Sequence, residues 1–201
     1  QIEEMFPLVV QQKLAEAVDI FCEKGVFSIE QSRRYLQAAR EQGFQLKMHA
    51  DEIVPLAGAE LAAELGCLSA DHLLQASNKG IRALAETGTV ATLLPLTAFS
   101  LREKYARARE MIDAGCIVAL ATDLNPGSAF TASVPLLFAL ACIHMKMTPE
   151  EAVTALTINS AAALGCADRV GSIDIGKQGD LILLQFPSYK FLPYHVGMNI
   201  V

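Results

Sequence analysis

Short apolar runs recur along the chain and separate longer stretches with helical patterning. The runs lie at residues 18–21, 44–49, 67–70, 89–94 and 116–121. Each is continuous rather than alternating, which is typical of strands covered on both faces of a parallel sheet. The stretches between them begin near Ser28, Pro55, Ser77 and Tyr105, and a glycine follows the end of each. A run and its stretch repeat about every 22 to 28 residues, which predicts consecutive β/α units.

Capping residues mark the starts of two predicted helices. Ser28 precedes Gln31 by three residues, which is the pattern of a capping box. Thr148 is followed by Pro149 and two acids, all favourable in the first turn of a helix. The sequence therefore predicts that helices begin at these two positions.

The alternation of strands and helices stops after residue 123. Helices are predicted at 133–145, 148–155 and 159–164, followed by glycine-rich turns and a strand at 181–185. This change predicts an α/β catalytic domain over residues 1–168 and the start of a β module over residues 169–201.

The repeated units are compatible with part of a barrel or with an open doubly wound sheet. Neither of the glycine-rich phosphate-binding motifs, G-x-G-x-x-G and G-x-x-x-x-G-K-[ST], occurs in the sequence. Polar residues instead close the predicted strands, where the active sites of (β/α) barrels lie. This arrangement favours a partial barrel.

The composition indicates which classes of binding partner are not expected. Of the 201 residues, 52% are apolar and 19% are charged, and the net charge is −6. A dense core is expected, and the absence of a basic block argues against nucleic acid. No apolar run reaches the roughly 18 residues of a membrane span. The five cysteines form no Cys-x-x-Cys pair, so we expect free thiols, mostly buried, in a cytoplasmic protein. The chain begins without Met and without a signal-peptide pattern, so we expect an internal piece of a longer protein.

Three strand ends carry side chains that suit metal-assisted hydrolysis. His49 closes the second run and Glu52 follows three residues later, while His72 and Asp123 close two further runs. A strand-end histidine can present a neutral ring nitrogen to a metal, and Asp123 can ligate the metal or accept a proton from water. Glu52 can move a proton or contact a substrate. For each residue taken alone, a structural role as a hydrogen-bonded core or turn residue remains open.

The residues after Asp123 form a turn of the sequence Asn-Pro-Gly-Ser. Asn125, Gly127 and Ser128 offer an amide, backbone N–H groups and a hydroxyl that can hold a carboxylate. The sequence has no His-x-His pair, so the set of metal ligands is incomplete. The two remaining histidines, His144 and His195, are interpreted as structural.

Together these motifs resemble the imidazolonepropionases of the amidohydrolase superfamily. The resemblance rests on His-Ala-Asp-Glu at 49–52, Ser-Ala-Asp-His-Leu at 69–73, Leu-Leu-Pro-Leu-Thr at 93–97 and Ala-Thr-Asp-Leu-Asn-Pro-Gly-Ser at 121–128. It extends over nearly the whole chain and corresponds to the C-terminal half of such an enzyme. It implies the C-terminal part of a distorted (β/α)8 barrel, strands four to eight, with a fragment of a small β-sandwich domain at 169–201.

The resemblance also implies an activity and a set of roles. The reaction is hydrolysis of 4-imidazolone-5-propanoate to N-formimidoyl-L-glutamate in histidine degradation, with one Zn²⁺ or Fe³⁺. His49 and Asp123 correspond to metal ligands, and Asp123 also to the proton acceptor. His72 corresponds to the residue that orients or activates water, and Glu52 to the acid that contacts the ring and moves a proton. The substrate-holding loop corresponds to Asn125, Gly127 and Ser128.

The family's His-x-His ligands have no counterpart here, so we expect the chain alone to be inactive or nearly so. Open sheet edges and an uncovered apolar inner face predict that the chain either self-associates, with a homodimer as the expected form, or is the ordered remnant of a longer chain. Two alternatives remain open at this stage. One is another cyclic amidase or deaminase of the superfamily, and the other is a non-catalytic half-barrel that serves as an interaction module.

Overall fold

A computed structural model describes residues 2–201 of the chain. The residues form two compact units. The first unit ends at Ala91, and the second comprises Thr92–Val201.

The first unit alternates helices with parallel strands. Its elements are α1 (Met5–Gln12), β1 (Ala17–Cys22), α2 (Ile29–Glu41), β2 (Gln45–Ala50), α3 (Gly58–Glu64), β3 (Ser69–His72), α4 (Asn78–Thr87) and the start of β4 (Val90–Leu93). β1 pairs in parallel with β2, and β2 with β3. The order of strands follows the order of the chain. The predicted β/α repeat is therefore confirmed, although α1 was not predicted.

Local sequence explains where α2 and α4 begin. The Ser28 hydroxyl accepts from the Gln31 N–H at 3.2 Å, and the Gln31 side chain accepts from the Ser28 N–H at 2.9 Å. This capping box confirms the predicted start of α2. The Ser77 hydroxyl accepts from the Gly80 N–H at the start of α4, and Gly88 ends that helix with a φ of +73°.

The strands of the first unit differ from the prediction in their burial. In β2, Leu46 and Met48 are buried, whereas Lys47 and His49 on the opposite face are only half-buried. β1 alternates in the same way. The prediction that these two strands are covered on both faces was wrong, and so was the prediction of an apolar uncovered face. One face packs against the helices, while the other carries the polar side chains from which the candidate site is built.

Close packing at the end of β2 depends on Gly58, the first residue of α3. A Cβ atom at this position would lie 2.9 Å from the Ala50 Cβ and 3.1 Å from the Ala50 Cα. We expect Gly58→Ala to lower the free energy of unfolding by about 1–3 kcal/mol, because neither backbone segment can move without shifting the other. Urea unfolding measures this effect. Gly179→Ala is the matched control, since nothing lies within 4 Å of a Cβ there, and equal stability of the two variants would contradict the packing argument.

The second unit is mostly helical. It contains the end of β4, α5 (Pro95–Leu101), α6 (Ala108–Asp113), β5 (Val118–Leu120), α7 (Val134–Ile143), α8 (Pro149–Leu156), α9 (Ile158–Ala163) and a 3-10 turn (Tyr189–Phe191). The Ala121 N–H donates to the Leu93 carbonyl beside β4, and β4 and β5 are buried at every residue, as predicted. The capping box of Thr148 and Glu151 confirms the start of α8. α5 was not predicted, because Pro95 and Leu96 extend the apolar run that precedes them.

The predicted strand at 181–185 is absent from the structure. Leu181, Ile182 and Leu183 are exposed, and the backbone bond nearest to a strand pairing runs from the Gln185 N–H to the Ile200 carbonyl at 2.8 Å. An apolar stretch forms a strand only where another strand pairs with it. Residues 169–201 therefore show no β-sandwich, and the domain boundary between residues 168 and 169 stays a prediction.

No helix within residues 2–201 combines the length and apolar character needed to cross a membrane. The five cysteines are free, and Cys22, Cys67 and Cys116 are buried. The burial of these thiols agrees with the prediction.

Burial makes one of these thiols unreactive. It raises the pKa of Cys67 to about 12, so the thiolate fraction at about pH 8 is lower by a factor of about 10³ than for an ordinary thiol. We expect iodoacetamide to leave Cys67 unmodified in the folded protein and to modify it in urea, as read by peptide mass spectrometry. Similar rates in the two conditions would contradict this assignment of burial.

Candidate active site

Strand register places four polar side chains on one face of the first unit. Asp19 pairs with Lys47 in adjacent positions of β1 and β2, and His49 pairs with Asp71 in β2 and β3. Because paired residues of parallel strands point to the same face, these side chains lie together. The helices cover the other face, so this polar face is the one that a ligand can approach.

His49 is held by a carboxylate from the neighbouring strand. Its Nδ1 lies 2.7 Å from Oδ2 of Asp19. The imidazole ring also packs near Phe21, at a centroid distance of 5.4 Å, and near His72, at 5.1 Å. The ring is therefore fixed on three sides by residues from β1 and β3.

Glu52 and His72 lie close together beside His49. Oε1 of Glu52 is 3.5 Å from Nδ1 of His72, and both side chains are largely buried. The structure thus brings together three of the four residues predicted to carry the chemistry, all in the first unit. A carboxyl group beside an imidazole, in a place with little water, can exchange a proton with a substrate.

The strand ends have unusual backbone geometry. Asp51 has a φ of +50°, His72 of +75° and, in the second unit, Asp123 of +52°. A non-glycine residue with positive φ is uncommon, and such residues cluster at functional sites. Two of the residues singled out from the sequence, His72 and Asp123, are therefore among the positions where the backbone departs from its preferred conformations.

A buried carboxylate at Asp51 anchors the loop that carries Glu52. Asp51 is 1% exposed. Its oxygens accept hydrogen bonds at 2.8, 3.0 and 2.9 Å from the backbone N–H groups of Leu56, Gly58 and Ala59. These bonds satisfy the free donors at the start of α3 and fix the course of the chain after β2.

Glu23 anchors the same loop from the end of β1. It is also 1% exposed, and its Oε2 accepts from the N–H groups of Ile53 at 2.8 Å and Val54 at 3.4 Å. Its Oε1 accepts from the Lys24 N–H at 2.7 Å. The loop that carries Glu52 is therefore held by two buried carboxylates, those of Asp51 and Glu23.

Asp71 belongs to a second polar group on the same face. Burial raises the pKa of Asp71, while the Lys47 ammonium and a hydrogen bond with Ser69 act in the opposite direction. Nζ of Lys47 lies 4.0 Å from Oδ2 of Asp71 and also donates to the Ser69 hydroxyl. Lys47 is thus the cation that faces this carboxyl group.

In the second unit, Asp123 follows β5 and is held by a buried threonine. The Thr97 hydroxyl, on α5, donates to Oδ2 of Asp123. Thr97 is 1% exposed. The remaining oxygen lone pairs of Asp123 can serve a metal or a proton.

The Asn-Pro-Gly-Ser turn is organised by its own asparagine. Nδ2 of Asn125 donates to the Asp123 carbonyl at 2.7 Å and to the Ser128 hydroxyl at 3.0 Å. Its Oδ1 accepts from the N–H groups of Gly127 and Ser128, both at 2.8 Å. The amide of Asn125 therefore shapes the turn that follows Asp123. The predicted contact of this turn with a substrate stays a prediction.

Residues of α9 hold the strand that precedes Asp123. The Asn159 side chain donates to the Val118 carbonyl at 2.8 Å, and the Ser160 hydroxyl donates to the Leu120 carbonyl at 3.0 Å. These bonds bind the carbonyl groups of β5 and so limit the movement of the strand end.

Each unit offers a side chain of a type that binds zinc or iron. His49 offers a ring nitrogen, and Asp123 offers a carboxylate, both common ligands of these metals. Because Nδ1 of His49 faces Asp19, Nε2 is the nitrogen that suits a metal. Asp19, His49 and Asp71 also form a group whose possible ligand atoms lie within 4.8 Å of one another.

Comparison with known proteins agrees with this chemistry. The sequence model of the amidohydrolase family matches residues 17–198. The chain belongs to the amidohydrolase family. The match includes every residue predicted to act in the chemistry.

Curated relatives in this family include imidazolonepropionases. The protein of that name from Bacteroides thetaiotaomicron is 69% identical over 200 residues, which cover 100% of this chain and 48% of the relative. The one from Porphyromonas gingivalis is 71% identical over 198 residues, which cover 98% of this chain and 47% of the relative. The chain therefore spans about half the length of these amidohydrolases.

Solved structures share the fold at low sequence identity. An adenosine deaminase from Xanthomonas campestris with bound zinc has a TM-score of 0.80 and 20% identity, over 94% of this chain and 51% of that chain. The A. niger ochratoxinase has a TM-score of 0.76 and 21% identity, over 99% of this chain and 51% of that chain. These likenesses support the (β/α) barrel class of amidohydrolases for the fold of this chain.

Sequence reasoning missed two residues that support the candidate site, Asp19 and Glu23, and did not foresee the bond from Thr97 to Asp123. Asp19 could have been found, because a lone acid inside the apolar run at 18–21 falls on the same face as His49 once the strands are paired in register. Glu23 and Thr97 act through hydrogen bonds to residues far along the chain. The sequence contains no local signal for these bonds.

Proposed function

We propose that this chain carries the C-terminal part of the active site of an imidazolonepropionase. The reaction is hydrolysis of the cyclic amide C–N bond of 4-imidazolone-5-propanoate, which gives N-formimidoyl-L-glutamate. The observation that carries the proposal is the 69% identity over 200 residues to a relative of that name, together with the grouping of His49, Glu52 and His72.

We further propose one Zn²⁺ or Fe³⁺ as cofactor, with His49 and Asp123 among its ligands. Such an ion, when bound, would polarise the ring carbonyl and favour ionisation of a water molecule. The support comes from the donor chemistry of the two residues and from the zinc bound by the adenosine deaminase relative in fold. The sequence supplies no His-x-His pair for further ligands.

The side chains of this protein would carry the proton transfers. Water adds its oxygen to the ring carbonyl carbon, and Asp123 takes a proton from it. The C–N bond then breaks, and the departing nitrogen needs a proton. Glu52 in its protonated form is suited to deliver that proton and regains one from the carboxylic acid that forms, while Asp123 releases its proton to solvent. His72, at 3.5 Å from Glu52, would orient Glu52 and the attacking water.

The turn after Asp123 is the proposed contact for the substrate. In this proposal Asn125, Gly127 and Ser128 hold the propanoate or the product carboxylate. The support is the order that the Asn125 side chain imposes on the turn. Glu52 would contact the imidazolone ring.

The oligomeric state, the cellular location and the activity of the chain alone are also proposals. We propose a homodimer and a cytoplasmic location, and the free cysteines support the location. We propose that the chain alone has little or no activity, because its sequence supplies fewer metal ligands than a complete site needs.

Joining this chain to the remaining part of a curated relative tests the function. The joined protein consists of the part of the Bacteroides thetaiotaomicron relative that precedes its match to this chain, followed by this chain. We expect the joined protein to hydrolyse 4-imidazolone-5-propanoate and the chain alone to do so at least about 10³ times more slowly. A joined protein that folds and retains metal but shows no turnover would refute the substrate. Equal rates for both proteins would refute the inactivity of the chain alone.

A second candidate is another cyclic amidase or deaminase of the same family. Its support is the fold shared with an adenosine deaminase and with an atrazine chlorohydrolase from Arthrobacter aurescens that is 16% identical. Assaying the joined protein with a dihydropyrimidine and with adenosine separates the two. A value of kcat/KM higher for either compound than for the imidazolone would favour this candidate.

A non-catalytic interaction module is the alternative from another class. It is disfavoured by the unusual backbone at His72 and Asp123, which a purely structural half-barrel has no need to maintain. A joined protein inactive on every substrate tested would favour it.

A further inference from the structure

We propose that Asp19 is a positioning residue for His49. In this inference the Asp19 carboxylate accepts a hydrogen bond from Nδ1–H of His49 and so leaves Nε2, with its lone pair, as the nitrogen that binds a metal. The inference rests on the proposed function only for the identity of His49 as a metal ligand.

The two residues are in direct contact. Nδ1 of His49 and Oδ2 of Asp19 are 2.7 Å apart. Two ligands of one tetrahedral zinc, each about 2.0–2.1 Å from the ion, would be about 3.3 Å apart. The pair is therefore too close to share a metal as direct ligands, and a proton lies between its atoms.

The surroundings of Asp71 exclude it from the same role. Asp71 could in principle join Asp19 and His49 in a three-ligand group. Its carboxyl group, however, faces the Lys47 ammonium at 4.0 Å, and Lys47 also donates to Ser69. A divalent ion placed between these groups would be repelled by Lys47. Asp19 thus contacts His49, whereas Asp71 contacts Lys47.

The position of Asp19 in the sheet explains how one acid can fix the ring. It lies two residues before Phe21, which pairs with His49 across the strands. The Phe21 ring packs against the His49 ring, so rotation of the imidazole is limited sterically while Asp19 selects one nitrogen. Carboxylates that contact the second nitrogen of a metal-bound histidine determine its tautomer and orientation in this way.

The tautomer of His49 can be read without any metal. Long-range ¹H–¹⁵N correlation spectra of the 201-residue chain, at a pH well above the ordinary histidine pKa of about 6.5, distinguish protonated Nδ1 from protonated Nε2. His49→Gln identifies the signals among the four histidines. We expect Nδ1–H in the unmodified chain and a shift toward Nε2–H, the form preferred by free histidine, in Asp19→Ala.

Two further variants keep the test decisive. Asp19→Asn retains shape and a weaker acceptor, so it should keep most of the Nδ1–H form even if Asp19→Ala folds poorly. Asp71→Asn removes a neighbouring carboxylate that does not contact Nδ1, so its tautomer should be unchanged. Nε2–H in the unmodified chain, no change in folded Asp19→Ala, or an equal change in Asp71→Asn would overturn the proposal.

Zinc titration supplies an independent readout. Competition with a chromophoric chelator measures the affinity of each chain for Zn²⁺ alone. We expect Asp19→Ala to weaken binding about 10- to 100-fold relative to the unmodified chain, and equal affinities would overturn the positioning role. If the unmodified chain, whose sequence has no His-x-His pair, binds no Zn²⁺, the same titration of the joined proteins and the tautomer result decide the role of Asp19.

Discussion

Replacing Asp123 with asparagine should lower kcat/KM of the joined protein for 4-imidazolone-5-propanoate by about 10³-fold or more. Asparagine has the same shape and can still accept the hydrogen bond from Thr97. It cannot take a proton from water, and it is a poorer ligand for a cation. The loss of a general base alone is worth about 10²–10⁴ in rate, and the loss of a ligand adds to it. Steady-state kinetics of the folded variant measure the effect.

The control for this substitution is Asp113→Asn in the same unit. Asp113 is an exposed acid that contacts Arg109 on the same helix. Because such surface pairs contribute little, we expect its kinetics to match those of the unmodified protein. Asp123→Asn with more than about a tenth of the original kcat/KM would be incompatible with a general-base role.

Replacing Glu52 with glutamine should lower kcat by about 10²–10³-fold while the metal content stays unchanged. Glutamine fills the same space and can still contact His72, and the loop stays anchored through Asp51 and Glu23. It cannot carry a proton to the departing nitrogen. The combination of lost turnover with retained metal separates a proton carrier from a ligand, and kinetics paired with metal analysis provide both values.

Glu64→Gln is the matched control for Glu52→Gln. Glu64 is an exposed glutamate at the end of α3 and pairs with Arg33. We expect it to leave kcat unchanged. A Glu52→Gln variant that loses its metal would show that Glu52 acts in binding the ion, and unchanged turnover would remove Glu52 from the reaction.

The predicted elements that were confirmed are those encoded by neighbouring residues. The capping boxes at Ser28 and Thr148 bring their partners from three residues away, so the sequence reveals them directly. The strand that carries His49 was found because the apolar residues Phe44, Leu46 and Met48 lead up to the histidine. The candidate residues at strand ends followed from the rule that parallel strands present their carboxyl ends at the same edge.

The features that could not be predicted depend on contacts between distant residues. The role of Asp19 becomes apparent only when β1 is paired with β2 in register. The role of Glu23 becomes apparent only when its carboxylate contacts the loop 30 residues later. The positive φ of His72 has no local marker such as glycine. The strand expected at 181–185 failed for the same reason, because its existence depends on a pairing partner and not on its own composition.

The most direct test of the central claim is the metal content of the joined protein and of its His49→Ala variant, measured by plasma mass spectrometry on samples of verified intact mass. We expect about one zinc or iron per chain in the unmodified protein and almost none in the variant, because His49 is proposed as a direct ligand. Equal metal content in the two proteins, with both folded, would contradict the assignment of His49 and the metal-dependent hydrolysis built on it.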